Sequence, residues 1–426
     1  ETGAANPLAR RLPIDEGLMC EAMRQVIAHE VGHSLGLPHN MISSSAYPAD
    51  SLRSPAFVRR MGLAPSIMDY TRQNYIAQPG DGMERNDFLR RIGPYDHYVI
   101  NWGYRVIPNA ATPEAERPIL NEWVKAKAKD PVYRFLQGQP MANDPRGQTE
   151  DLSDDPIKAS KYAVENLKRV VPNLVEWTTT DGEDYTDLAE VYTELEGMWA
   201  QYMGHVVTII GGVHADLKTA DQDGAVYRAV APARQRAALR FLTQHVFDAP
   251  VWLLEPEIVV RLGPNVAGPH QIERRQAAVV GSLLTPARLG RIAEAERLNP
   301  PDAYSLREYL TDLQRGVWGD AVATAANPYR RALQREHIDR LVTLLSDPPA
   351  PPAAAQGPGG GGGPPAPPAR NRFELANSDV RPLVRAQLLD LRAQANAGAT
   401  RSSSTVVRAH LRDVAARIDE ALEPKR

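Results

Sequence analysis

Apolar residues recur three and four positions apart at Leu18, Met19, Ala22, Met23, Val26 and Ile27, behind an acidic first turn. This spacing predicts a helix from about Asp15 that Gly36 and Pro38 bring to an end. A loop (NMISSSAYPADS) is expected next, followed by a short helix over SPAFVRRMG, a turn at APSIMDY and a helix around RIGPYDHYVINWGY. Residues 109–150 are punctuated by prolines and glycines and read as a connector with short elements.

From residue 151 the pattern becomes steadily helical. DDPIKASKYAVENLKRVV places acidic residues before Pro156, as a helix start does. Leu188, Val191, Tyr192, Leu195, Trp199, Tyr202 and Val206 then follow at helical spacing, and similar segments continue to YRRALQREHIDRLVTLL. The organisation predicted is a mainly α fold divided at 1–108, a connector at 109–150 and a helical domain at 151–346. A Pro/Gly-rich disordered loop at 347–370 and a helical hairpin at 371–426, packing on the helical domain, complete it. No internal repeat is found.

Composition changes this picture little. Hydrophobic residues make up 43% and charged residues 24% of 426 positions, the balance of a globular chain able to bury a core. A formal charge of −3 gives no electrostatic reason to expect nucleic acid, and no apolar run approaches the ~20 residues that span a bilayer. The single Cys20 rules out an internal disulfide and is expected to be a small, buried apolar residue.

The candidate chemistry lies in HEVGHSLGLPH, residues 29–39. Positions four apart share a helix face, so His29 and His33 can aim two imidazoles at one point. Glu30 projects roughly a quarter turn away, where a base could take a proton from a metal-bound water. His39 reaches the same ion only if the chain turns sharply, which Gly36 permits through a left-handed backbone. Three neutral imidazoles with an open fourth position describe a catalytic zinc site, where the ion lowers the pKa of water to about 7 and polarises a carbonyl. In a chain of this composition the full spacing arises by chance on the order of a few times in 10⁵.

Further along lies SIMDY, residues 66–70. The extended histidine motif followed by a methionine-bearing turn resembles the metzincin metalloproteases. HEVGHSLGLPHN, YPADSLRS, PSIMDYTRQNYIAQPGD, RIGPYDHYVINWGY, DLSDDPIKASKYAVENLKRVV and NPYRRALQREHIDRL together resemble large bacterial zinc-dependent proteases with an EcxA-type metzincin domain and a long helical C-terminal extension. The resemblance implies one catalytic zinc ion on His29, His33 and His39, Glu30 as general base, and Met68 packed beneath the imidazoles. It implies that Tyr70 binds the oxyanion or zinc, as in astacin-like and serralysin-like metzincins. It further implies an exported protein acting on protein or peptide substrates. His97 is expected to be structural. Asp69 and Asp96 are expected to cap or turn the backbone, with an orienting role near the zinc as the alternative, and Asn40 to bond backbone in its loop.

Residues 1–108 therefore read as the lower subdomain of a metzincin catalytic domain. The upper half of such a domain is a twisted sheet that pairs with substrate, and it normally precedes the active-site helix. Only 28 residues precede His29, so the sheet is expected to lie outside this chain, which reads as the C-terminal portion of a larger protein. Much of the helix's apolar face would then be exposed. Two functions follow: a zinc endopeptidase, or a helical scaffold or interaction module whose zinc site is catalytically idle. A metal hydrolase acting on a non-peptide substrate is the third.

Overall fold

The computed structural model describes residues 1–137, 143–299, 302–346 and 374–423, so the loop expected at 347–370 lies outside the described residues. Nearly all of the regular structure is helical. The chain folds as two compact units, one formed by Glu1–Val230 with Pro250–Ile272 and the other by Ala231–Ala249 with Glu273–Arg426.

The first unit opens with α1 (Glu16–Ser34), α2 (Pro55–Met61), α3 (Pro94–Tyr104) and α4 (Pro113–Lys127). It continues with α5 (Pro156–Val170), α6 (Leu174–Thr178) and α7 (Thr186–Ile209). Most of these starts follow one local rule. A polar side chain accepts from a first-turn N–H, as Asp15 does from Leu18 (3.0 Å), and in several cases proline occupies the first helical position, where its missing N–H costs nothing. Helix α4 occupies part of the stretch read as a connector. Thr112 caps it, and Pro118 at its sixth position is tolerated. The prolines that suggested breaks lie at and near its N-terminus, where fewer hydrogen bonds are lost.

Helices α5 and α7 pack together over a core that includes Leu167, Leu188, Trp199 and Tyr202. Asn166 of α5 donates its amide to the carbonyls of Tyr75 (2.9 Å) and Ala77 (2.8 Å), fixing the extended segment that follows SIMDY. Two short strands, β1 (Val213–Ala215) and β2 (Tyr227–Ala229), pair antiparallel with Val213 opposite Ala229. They form the only sheet among the described residues.

The chain then enters the second unit with α8 (Pro232–Leu242), and α9 (Pro256–Leu262) and α10 (Pro264–Ala267) belong again to the first. Helix α11 (Pro269–Leu283) crosses the division and is followed by α12 (Pro286–Leu298), α13 (Leu306–Trp318), α14 (Ala321–Thr324) and α15 (Pro328–Leu345). The last two helices, α16 (Val380–Arg401) and α17 (Thr405–Leu422), form a hairpin. Helix α16 packs on both α17 and α15 through Val384, Leu388 and Leu391 against a core that includes Leu341, Leu411 and Val414. No helix among the described residues is long and apolar enough to cross a membrane.

Candidate metal centre

Helix α1 carries His29 and His33 on one face and ends in a Schellman turn. Gly36 N–H donates to the His33 carbonyl (2.9 Å) and Leu37 N–H to the Gly32 carbonyl (3.0 Å). Gly36 sits at φ +78°, a backbone conformation that glycine adopts without strain. The reversal returns the chain toward the helix. One ligand nitrogen from each of His29, His33 and His39 then lies within 4.8 Å of the others.

The hydrogen bonds show what these rings can hold. His29 Nδ1 donates to the Ile67 carbonyl and His33 Nδ1 to the Leu37 carbonyl, both at 2.8 Å. A carbonyl accepts only, so each ring keeps its proton on Nδ1 and presents a bare Nε2. His29 Nε2 is buried and has no hydrogen-bond partner in the protein. His33 Nε2 stands 3.1 Å from His39 Nε2, close to the ~3.3 Å separating two nitrogens that each lie about 2.0 Å from a tetrahedral zinc. Burial, followed by the nearby His33 and His29, pushes His39 below the usual histidine value, which favours the neutral ring that a metal needs. The donor set therefore fits zinc.

The remaining residues expected at the site are close by. Tyr70 stacks on His29, with centroids 5.2 Å apart and planes at 19°, and tilts over His39 at 4.4 Å. Its side chain is 41% exposed. Met68 is buried, and its sulfur packs directly against Gly32, between the two helical histidines: a Cβ on Gly32 would lie 2.3 Å from Met68 Sδ. Glu30 is exposed, and its negative charge acts on His39 against the downward push.

Asp96, at the start of α3, connects to the metal ligands through the backbone. Its carboxylate accepts from Gly93 N–H (2.8 Å), Ser66 Oγ–H (2.6 Å) and Ile67 N–H (2.8 Å). Since the Ile67 carbonyl receives His29 Nδ1–H, Asp96 holds by its N–H the residue whose carbonyl orients a ligand. Asn40 spans a longer separation. Its amide donates to the Arg134 carbonyl (2.9 Å), its oxygen accepts from Leu136 N–H (3.1 Å), and its own N–H reaches the Met68 carbonyl (3.1 Å). Sequence reasoning overlooked Gly32, whose only signal is a glycine between two ligands. The partners of Asn40, some ninety-five residues away, left no local trace. His97 is exposed and takes no part in the histidine cluster.

A cavity of about 590 Å³ opens beside this centre. It is lined by Pro38, Ile42, Tyr95, Tyr98, Trp102 and Phe135, among others, and Pro38 directly precedes His39. The Tyr98 hydroxyl is buried and has no hydrogen-bond partner in the protein.

Cys20 is exposed, contrary to the expectation of a buried thiol. The buried side of α1 runs through Gln25, His29 and Gly32 and faces the SIMDY turn, and Cys20 lies away from it. Met19, Met23, Val26, Ile27 and Val31 are also exposed, as the sequence led one to expect of this helix.

Three imidazoles converging above a methionine-bearing turn, two of them with their Nε2 bare, define a zinc site of the metalloprotease type. The family assignment agrees. The chain matches the Met-zincin family over residues 11–324 and belongs to it. No curated protein and no solved structure matches it.

Proposed function

We propose that the chain is a zinc endopeptidase of the EcxA-type branch, carrying its catalytic centre on α1 and the SIMDY turn and extended by a long helical region. The observation that carries this reading is the convergence of His29, His33 and His39 with Glu30 beside them and the Tyr70 ring stacked over the cluster. Zinc, when bound, supplies Lewis acidity that acidifies water and polarises the peptide carbonyl. Glu30 accepts a proton from the attacking water and passes it to the amide nitrogen as the C–N bond breaks. Tyr70 donates its hydroxyl hydrogen to the carbonyl oxygen as negative charge gathers there. The aromatic cavity beside Pro38 receives a large apolar side chain of a protein or peptide substrate. Its resemblance to exported bacterial proteases supports a location outside the cytoplasm.

One observation favours a second reading. The apolar row of α1 is exposed, and the β1–β2 ribbon is the only sheet among the described residues, which supports a chain that alone holds zinc without turning over. Cleavage of a quenched unfolded protein by the zinc-loaded chain, beside Glu30→Gln, separates the two. The endopeptidase reading expects zinc retained in both and turnover lowered by about 10²–10⁴-fold or more in the variant. Zinc bound in both with cleavage in neither favours the idle site.

A further inference from the structure

Directly beneath the SIMDY turn, two carboxyl groups are shut away from water. Asp69 and Asp151 are 0% and 2% exposed. Asp69 Oδ2 accepts from Ser44 N–H at 2.6 Å, but Asp69 Oδ1 and both carboxylate oxygens of Asp151 have no hydrogen-bond partner in the protein. The Ser44 hydroxyl, also fully buried, lies close enough to act as a hydrogen-bonding group on both carboxyls, but it has no partner at ordinary hydrogen-bond geometry. Thr71 Oγ1, two residues beyond Asp69, is buried and unpartnered as well.

The backbone holds these groups together. Glu150 N–H donates to the Tyr70 carbonyl (2.6 Å) and Ser153 N–H to the Ser44 carbonyl (3.0 Å), so Asp151 is pinned between the turn and the loop after His39. The nearby cation is Arg90, which donates to the Asp69 carbonyl (3.0 Å) and acts on its carboxylate. One guanidinium does not balance two buried carboxylates. Burial, first, and the charge of Asp151, second, push Asp69 far above the ordinary carboxyl range, and burial pushes Asp151 up to about 7. A single proton shared between the two carboxyls, with the Ser44 hydroxyl donating to the remaining oxygen, is one way to satisfy these groups. A divalent cation held by the same oxygens is the other, and it neutralises both carboxylates.

We propose that Asp69, Asp151 and the Ser44 hydroxyl bind a hard divalent cation of the calcium kind, separate from the zinc site. The donors are oxygens only, which favours calcium over zinc, and a carboxylate pair neutralises a double charge. The ion would fasten three segments, 40–47, 66–71 and 150–154, beneath the residues that carry Met68 and Tyr70. Its role is structural and does not depend on whether the zinc site cleaves peptides.

The test uses the full chain, freed of bound metal by EGTA, washed free of chelator, resaturated with zinc and dialysed against radioactive calcium. One calcium per chain should be retained and should raise the unfolding temperature. Asp151→Asn and Ser44→Ala should each weaken calcium binding by at least about tenfold while leaving zinc content unchanged. If Asp151→Asn does not fold, Ser44→Ala, which removes only one hydroxyl, carries the test. No calcium on the parent chain overturns the proposal. So does calcium bound equally well by both variants, which would place it elsewhere. An Asp151→Asn chain that melts higher, with no calcium on the parent, would identify a shared proton instead.

Discussion

At Gly32 the side chain of Met68 from the SIMDY turn packs directly against the helix, and replacing this glycine with alanine tests how the metal centre is held. The new methyl carbon would lie 2.3 Å from Met68 Sδ and 3.2 Å from Cε. Ordinary contact is about 3.5–4.0 Å, so the sulfur must retreat by roughly 1.2–1.7 Å. Met68 is only 1% exposed, and overpacking of this kind costs about 1–3 kcal/mol. The better helix propensity of alanine returns about 1 kcal/mol, leaving a net loss of roughly 0–2 kcal/mol. The larger effect falls on the metal. Met68 follows Ile67, whose carbonyl orients His29 through a 2.8 Å hydrogen bond, and disturbing such a partner costs about 10–100-fold in affinity. Chelator competition gives the zinc affinity and thermal unfolding gives the stability. Gly197→Ala is the control, because a Cβ there meets nothing within 4 Å, and it should raise stability by about 0.5–1 kcal/mol without touching zinc binding. A Gly32→Ala chain that binds zinc as tightly as the parent and melts higher would refute the packing argument.

Other expectations follow from the same geometry. Asp96→Ala strands three buried donors and should cost on the order of 3–5 kcal/mol and weaken zinc binding. Asp96→Asn should recover most of both, since its oxygen can face the backbone N–H groups and its amide the Ser66 hydroxyl; equal damage from the two would exclude this role. Burial pushes His337 down to about 3 and His410 to about 4. Their contribution is therefore complete above pH 6.5 and declines on acidification, as the unfolded chain takes up protons that the folded chain refuses. Between pH 6.5 and 4.5 this amounts to roughly 2–3 kcal/mol for each. His337→Asn, which keeps an acceptor for Trp318 Nε1–H, should show a flatter pH profile in denaturant titrations than the parent; parallel profiles would contradict it. Among peptides cleaved by the zinc-loaded chain, those offering a large apolar or aromatic side chain to the cavity should have the higher kcat/KM, and Trp102→Ala should reduce that preference. Indifference to side-chain size would remove the cavity from the substrate path.

Much of the metal centre was legible in the sequence because it is local. The i, i+4 pair needs only a helix, and the return of His39 needs only the left-handed Gly36. Helix starts were legible for the same reason: Asp15, Ser54 and Asp155 each cap from the adjoining position. Elements fixed by distant partners left no such signal. The β1–β2 ribbon has only three residues in each strand, too few to show an alternation. Helix α4 was obscured by its own prolines. Asp96 was legible as a cap, but its control of Ile67 depends on a contact across 29 positions, and the buried Asp69–Asp151 pair joins residues 82 positions apart. Cys20 misled because helical spacing gives the period of a face and not the side that another element covers.

The two helical imidazoles are oriented by uncharged oxygens, the carbonyls of Ile67 and Leu37. A carboxylate in those positions would draw the ring proton toward itself and lend the imidazole partial anionic character. With carbonyl partners the ligands contribute lone pairs but little charge, so a metal ion held there would keep much of its formal charge and be a stronger Lewis acid. Glu30, whose charge acts on His39, is the proton acceptor of the proposed mechanism, which would keep the carbonyl-polarising group and the proton acceptor separate.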